Sequence, residues 1–233
     1  MRYVVLDTET TGLDPKQGHR LIEIGAVELL GRQLTGKTFH HYLNPDRAID
    51  EEAKKVHGIE EAFLADKPRF AEVADDLWLF CEGAELIIHN ASFDMGFINH
   101  ELAQLSRPPL NSVCTVRDTL KEARQRFPGK RNNLDALCER LGVNASHRSL
   151  HGALLDAQLL AEVFLAMTRG QQSLIDEESE AVLKTDQAKN AEIIGQVGIV
   201  KHVLKVISAT EEEVAAHDAY LGGLKNALWL SGL

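Results

Sequence analysis

The chain has 233 residues, 35 acidic against 25 basic, and a formal net charge of −10. That length fits one domain with an appendage or two small domains. The acidic balance argues against a protein that grips nucleic acid by bulk electrostatics, while leaving room for one that binds it locally through metal ions. No apolar run approaches the ~20 residues of a membrane helix. The first residues, MRYVVLDTE, do not read as a secretory signal. Three widely spaced cysteines, Cys81, Cys114 and Cys138, form no metal-type pair. The expectation is a reduced cytoplasmic protein with buried thiols and no membrane contact.

In chain order, residues 2–7 read as a strand. LIEIGAVEL (21–29) and KTFHHYL (37–43) read as a second and a third, with Gly31 and Gly36 bracketing the turn between them. These three predict an antiparallel meander. Helices are predicted within 50–56 and 69–81, and a short apolar strand at ELIIHN (85–90). Asn90 or Ser92 can cap the next helix, around 93–104, and Pro108-Pro109 stops it. SVCTV (112–116) reads as a fifth strand, followed by helices near 117–126, 133–141 and 153–168. A meander followed by alternating strands and helices predicts an α/β fold, a mixed five-stranded sheet flanked by helices. The composition changes after Met167: 168–190 is polar and acidic and reads as a flexible linker. The chain turns apolar again to Leu233. Thr210 with Glu213 predicts a capping box and a helix from about Glu211, with Val214, His217, Leu221, Leu224 and Leu228 on one face. The predicted organisation is therefore 1–168, 169–190 and 191–233.

Four carboxylates stand out. Asp7 and Glu9, in VVLDTETTG, alternate onto one face at the end of a buried strand, where like charges cost energy unless something neutralises them. Asp94, in HNASFDMGF, falls in the first turn of a helix, and simple capping of the helix dipole would explain it. Asp156, in HGALLDAQLLAEVF, shares a stripe with Leu160, Val163 and Met167, a face that should be buried. An ion pair to an arginine competes there with a metal. His151 converges on Asp156 provided that it projects from the loop before the helix. Taken together, hard oxygen ligands without thiolates suit two Mg²⁺ or Mn²⁺ ions ~4 Å apart, clamping a phosphodiester for attack by water.

VVLDTETTG, HNASFDMGF and HGALLDAQLLAEV, in that order and with His151 and Asp156 separated by four residues, resemble the three motifs of the DEDDh 3′–5′ exonuclease family across residues 1–168. The resemblance implies an RNase H-like fold and two divalent ions held by Asp7, Glu9, Asp94 and Asp156, with Asp7 bridging both. His151 becomes the general base, and 5′-mononucleotides leave a DNA 3′ end. It places Glu52 and His57, in IDEEAKKVHGI, against the terminal nucleotide, and Thr10 and Gly12 beside its sugar. Asp7, Glu9 and Asp156 also face that substrate. The linker and tail resemble those of proofreading members. They imply that 191–233 bind a polymerase catalytic subunit, that Gln171, Ser173 and Leu174 touch a sliding clamp weakly, and that a small accessory subunit takes part. An RNA-trimming member of the family would share the same chemistry, but would not need the extension after residue 168. A binding module that has lost its activity is disfavoured by the intact five positions. The cluster Arg124, Arg126, Lys130 and Arg131 reads as a solvated surface able to meet phosphates.

Overall fold

A computed structural model describes residues 1–146, 148, 150–169 and 210–222. The chain divides into two units, Met1–Ile175 and Asp176–Leu233. In the first, three antiparallel strands come first: β1 (Arg2–Thr10), β2 (Leu21–Leu30) and β3 (Gln33–Tyr42). Three helices follow, α1 (Glu51–His57), α2 (Glu61–Leu64) and α3 (Phe70–Cys81). Then β4 (Glu85–Ile88) leads into α4 (Ala91–Gln104), and β5 (Thr115–Asp118) into α5 (Thr119–Arg126). The unit closes with α6 (Leu134–Leu141) and α7 (Ala153–Met167). The five strands lie in the order β3-β2-β1-β4-β5, with β4 parallel to β1 and β5 parallel to β4. This is the predicted mixed sheet.

Alternation along β1 divides the core. Val4 and Leu6 face one side, where Phe70, Val73, Leu77, Met95 and Ile98 of α3 and α4 cover them. Val5 faces the other, against Leu160, Ala161 and Phe164 of α7. Asp7 and Glu9 continue the Val5 side toward the strand's end, so they emerge under α7. How close α7 can come is set by Gly25, which is paired with Asp7 across the ladder. A Cβ at Gly25 would stand 2.1 Å from the Leu154 backbone nitrogen and 2.2 Å from the Ala153 carbonyl carbon. Neither is a flexible atom, so the helix itself would have to move. Gly25→Ala is expected to destabilise the fold by about 1–3 kcal/mol through overpacking. A urea midpoint unchanged from wild type would show that the helix yields without strain.

Several expectations need correction. Gly36 is not in the β2–β3 turn. It lies inside β3 at φ +83°, where the register between Val27 and Leu29 is irregular. The fifth strand starts three residues late: Leu110–Ser112 forms a 3₁₀ turn, and pairing begins at Thr115. Its Arg117 and Asp118 are polar because β5 is an edge strand, while the apolar SVC run serves the turn before it. The short helix α2 had no strong periodic signal. Asn90 stands at the cap position of α4, but in the left-handed region (φ 72°) and with its side chain capping no backbone N–H of the helix; its Oδ1 accepts instead from Ser92 Oγ at 3.2 Å. Asn tolerates that conformation, and the sharp turn it makes carries the chain from β4 directly into α4.

In the second unit the described residues form α8 (Glu211–Gly222). The capping box is present: Glu213 N–H donates to Thr210 Oγ1 at 3.3 Å, and Thr210 N–H donates to Glu213 Oε2 at 2.8 Å. Val214 and His217 are exposed. The expectations for 170–209, including Gln171, Ser173 and Leu174, and for Leu224 and Leu228 lie outside the described residues. No described helix is long and apolar enough to cross a membrane. Cys81 and Cys138 are buried free thiols, and Cys114 is half-buried.

Candidate active site

Four elements meet at the end of β1. The strand delivers Asp7 and Glu9. The tight turn at Asn90 starts α4 so that Asp94, 3% exposed, points back into the strand's end, where Thr8 Oγ1 donates to its Oδ1 at 2.8 Å. The first turn of α7, admitted by Gly25, brings Asp156, also 3% exposed. The loop before α7 supplies His151, whose Nδ1 lies 3.3 Å from Asp156 Oδ2. It projects from the loop as the sequence requires, tied by its own N–H to the Val56 carbonyl at 3.2 Å. Glu9, His151 and Asp156 each present a ligand atom within 4.8 Å of the others. Asp7 and Asp94 join them as electrostatic neighbours.

Those neighbours leave a mark on acidity. Burial, then the charges of Asp94, Glu9 and Asp156, raise Asp7 well above the usual carboxylate range. Burial, Asp156, Glu23 and Asp94 push Glu9 up to about 8. Burial raises Asp94 to about 7, against hydrogen bonds from Thr8 and the backbone that pull it down. Asp156 alone among the four is held below the usual range. Burial opposes this, but hydrogen bonds from His151 and Arg148 outweigh it.

The donor set therefore fits hard divalent cations. Four buried or half-buried acids share one spot with too little positive charge, and divalent cations would supply it.

The substrate positions separate. His57 is buried, with Nδ1 accepting from the Ile59 N–H at 3.0 Å, which leaves the proton on Nε2. Among the described residues that Nε2 is buried without a hydrogen-bond partner. Glu52, five residues earlier on the same helix, is exposed. Thr10 Oγ1 donates to the Gly12 carbonyl at 2.6 Å. Gly12 is explained by packing, since a Cβ there would meet the His19 ring at 2.3 Å.

Sequence reasoning missed two participants. Glu23, 2% exposed, stands directly across the ladder from Glu9, with Oε1 2.7 Å from His40 Nε2. The register of the meander was the signal that could have found it. Arg148 was the other. Its Nε donates to Asp156 Oδ1 at 2.5 Å and its Nη2 to Oδ2 at 2.7 Å, so the arginine pair weighed as a competitor to a metal is present. The basic cluster divides. Arg126 donates to the Met167 carbonyl at the end of α7, whereas Arg124 and Lys130 line a cleft of about 410 Å³ with His89 and Asn132.

A sequence profile of the RNase T-type exonuclease family matches residues 4–164. The DNA polymerase III subunit epsilon of Escherichia coli K12 is 53% identical over 227 residues, covering 94% of this chain and 92% of that one. The protein of the same description from Haemophilus influenzae is 49% identical over 241 residues, covering 98% and 94%. Among solved structures, Exonuclease X in complex with 5′ overhanging duplex DNA superposes with a TM-score of 0.59 at 25% identity, over 76% of this chain and 98% of that one. The nuclease domain of 3′hExo, described as a DEDDh family member bound to rAMP, superposes at 0.61 with 20% identity, over 71% and 90%, a likeness of fold.

Proposed function

The chain belongs to the exonuclease family, and from that premise we propose that it is the 3′–5′ proofreading exonuclease subunit of a replicative DNA polymerase, removing mismatched nucleotides from a primer 3′ end as 5′-mononucleotides. The observation that carries this reading is the gathering of Asp7, Glu9, Asp94, Asp156 and His151 at one strand end. It occurs in a chain about half identical to two epsilon subunits over nearly its whole length.

Asp7, Glu9, Asp94 and Asp156 would hold two divalent cations, Mg²⁺ or Mn²⁺. When bound, such ions stabilise charge on a phosphodiester and make water a better nucleophile at neutral pH. The protein's own residues do the rest. Thr8 fixes one oxygen of Asp94. His151, with a side chain 44% exposed, is within reach of solvent water and takes its proton as general base. His57 offers a buried N–H donor and Glu52 an exposed acceptor to the terminal nucleotide, with the Thr10–Gly12 backbone beside its sugar.

Digestion of 3′-labelled single-stranded DNA, mismatched primer and RNA, with Mg²⁺ and with chelator, tests this. Mononucleotide release from DNA that depends on Mg²⁺ and is fastest on unpaired ends is expected. Faster digestion of RNA than of DNA would turn the reading to RNA trimming.

Residues 191–233 are the tether to the polymerase catalytic subunit. The capping box starts the helix at Glu211, and the sequence spacing of Val214, Leu221, Leu224 and Leu228 gives an apolar stripe in a segment with little core of its own. A tether raises the nuclease's effective concentration at the primer. Gln171, Ser173 and Leu174 add at most a weak clamp contact. Cutting after Arg169 keeps the Arg32 bonds to the Leu165 carbonyl (2.6 Å) and Thr168 (2.9 Å) that close α7. The truncated protein is expected to digest short single-stranded DNA at the full rate while losing co-purification with the polymerase. Full-affinity binding by it would locate the tether elsewhere.

A further inference from the structure

Arg148 lies in the loop between α6 and α7, with a side chain only 6% exposed. Burying a guanidinium requires partners for its donors, and all three of its contacts are informative. Nε and Nη2 take both oxygens of Asp156 in a bidentate fork. Nη2 also lies 2.9 Å from His151 Nδ1 and 3.4 Å from Nε2, beside the ring and off the line of either lone pair. Nη1 donates to Asp135, in the first turn of α6, whose side chain is 62% exposed.

The fork takes both oxygens of Asp156, so whichever of them lies within 4.8 Å of the ligand atoms of Glu9 and His151 is already bonded to the arginine. A guanidinium and a divalent ion repel at such range. Asp135 gives the arginine a second anchor pointing away from the cluster, already in contact.

We infer that Arg148 is a positioning residue with two stations. Without divalent ions it holds Asp156 as a placeholder cation. When divalent ions load, it withdraws toward Asp135 and frees both oxygens of that carboxylate. This rests on the reading of the carboxylates as a divalent-cation site. Because the two occupants exclude one another, each weakens the other's hold by the same factor. Loading the site and releasing Asp156 from Arg148 become one coupled step.

The test is Mn²⁺ binding to the full chain, followed by calorimetry and by the electron paramagnetic resonance of the bound ion. Arg148→Gln keeps hydrogen-bond donors but removes the charge and the fork. It is expected to bind Mn²⁺ about 5- to 100-fold more tightly than wild type. Its melting temperature should fall without metal and rise more steeply with it. Arg148→Lys, which keeps a charge without the fork, is expected between the two, and it carries the test should Arg148→Gln not fold. A merely structural role predicts the opposite sign, since a loosened loop weakens every ligand of the site. Equal or weaker Mn²⁺ binding in the variants overturns the proposal. Absence of Mn²⁺ binding in wild type, with Asp7→Ala behaving identically, overturns the cation site itself and this inference with it.

Discussion

Asp7→Ala is expected to remove nearly all nuclease activity and to raise the melting temperature of the metal-free protein. Both effects have one cause. Asp7 lies among Asp94, Glu9 and Asp156, and its carboxyl is held well above the usual range by burial and by those charges. With cations bound, it would be one of the four carboxylates that hold them. Its loss should cost more than the ~10- to 100-fold that removing even an outer partner of a metal ligand costs. With cations absent, the same carboxylate is a source of repulsion, so its removal relieves the cluster. The pH dependence of the metal-free protein follows the same logic. Asp94 and Glu9 titrate near 7 and 8 in the folded chain, above their unfolded values. The folded state therefore holds protons that the unfolded chain releases. The stability these groups contribute is complete below the ordinary carboxylate pKa and is lost as pH rises through about 7 to 8. Asp156, held below the usual range, works the other way in acid, where protonation releases its pairs. Metal-free wild type should thus melt lower at alkaline than at mildly acidic pH, with a shallower slope in Asp7→Ala and in saturating Mg²⁺. A near-wild-type digestion rate for Asp7→Ala in Mg²⁺ would sink the two-ion proposal.

Much of this site was legible in the sequence because its logic is local. Two carboxylates spaced by one residue at a strand end must share a face, and an acid on an otherwise apolar helical stripe must be buried with a partner. Asp7, Glu9 and Asp156 could be found that way, and helical geometry set the condition that His151 meets Asp156 only from the loop before the helix. What was not legible depended on contacts distant in sequence or on backbone geometry without a pattern. Arg148 is one of many arginines until the loop before α7 folds over Asp156. Glu23 becomes a neighbour of Glu9 only through the ladder register. Gly25 reads as a gap in an apolar strand, yet it decides how near α7 approaches. The irregular pairing around Gly36 and the late start of β5 are of the same kind, since both are set by how strands pair and not by which residues are apolar.

His151→Ala is the variant that separates the chemistry from the scaffold. The imidazole is half in solvent, with its side chain 44% exposed, so its removal takes away little packing. Arg148 keeps its two bonds to Asp156 without it. The fold and the carboxylates should therefore persist. A positioned general base contributes about 10²- to 10⁴-fold in rate, and a loss in that range is expected in kcat, with KM for short single-stranded DNA little changed. The acidic limb of the pH–rate profile should change with it, because the group that must be unprotonated is gone. The competing role is that of a metal ligand, a serious one here because His151 presents a nitrogen within 4.8 Å of ligand atoms of Glu9 and Asp156. The two roles part on affinity. A base leaves Mn²⁺ binding near its wild-type strength, whereas a ligand weakens binding in step with the rate. Added imidazole gives a second reading, since a small base in the vacated space can restore proton transfer without restoring a chelating side chain. Recovery of rate at constant Mn²⁺ occupancy assigns His151 to the water. A rate that recovers only when Mn²⁺ is raised assigns it to the ion.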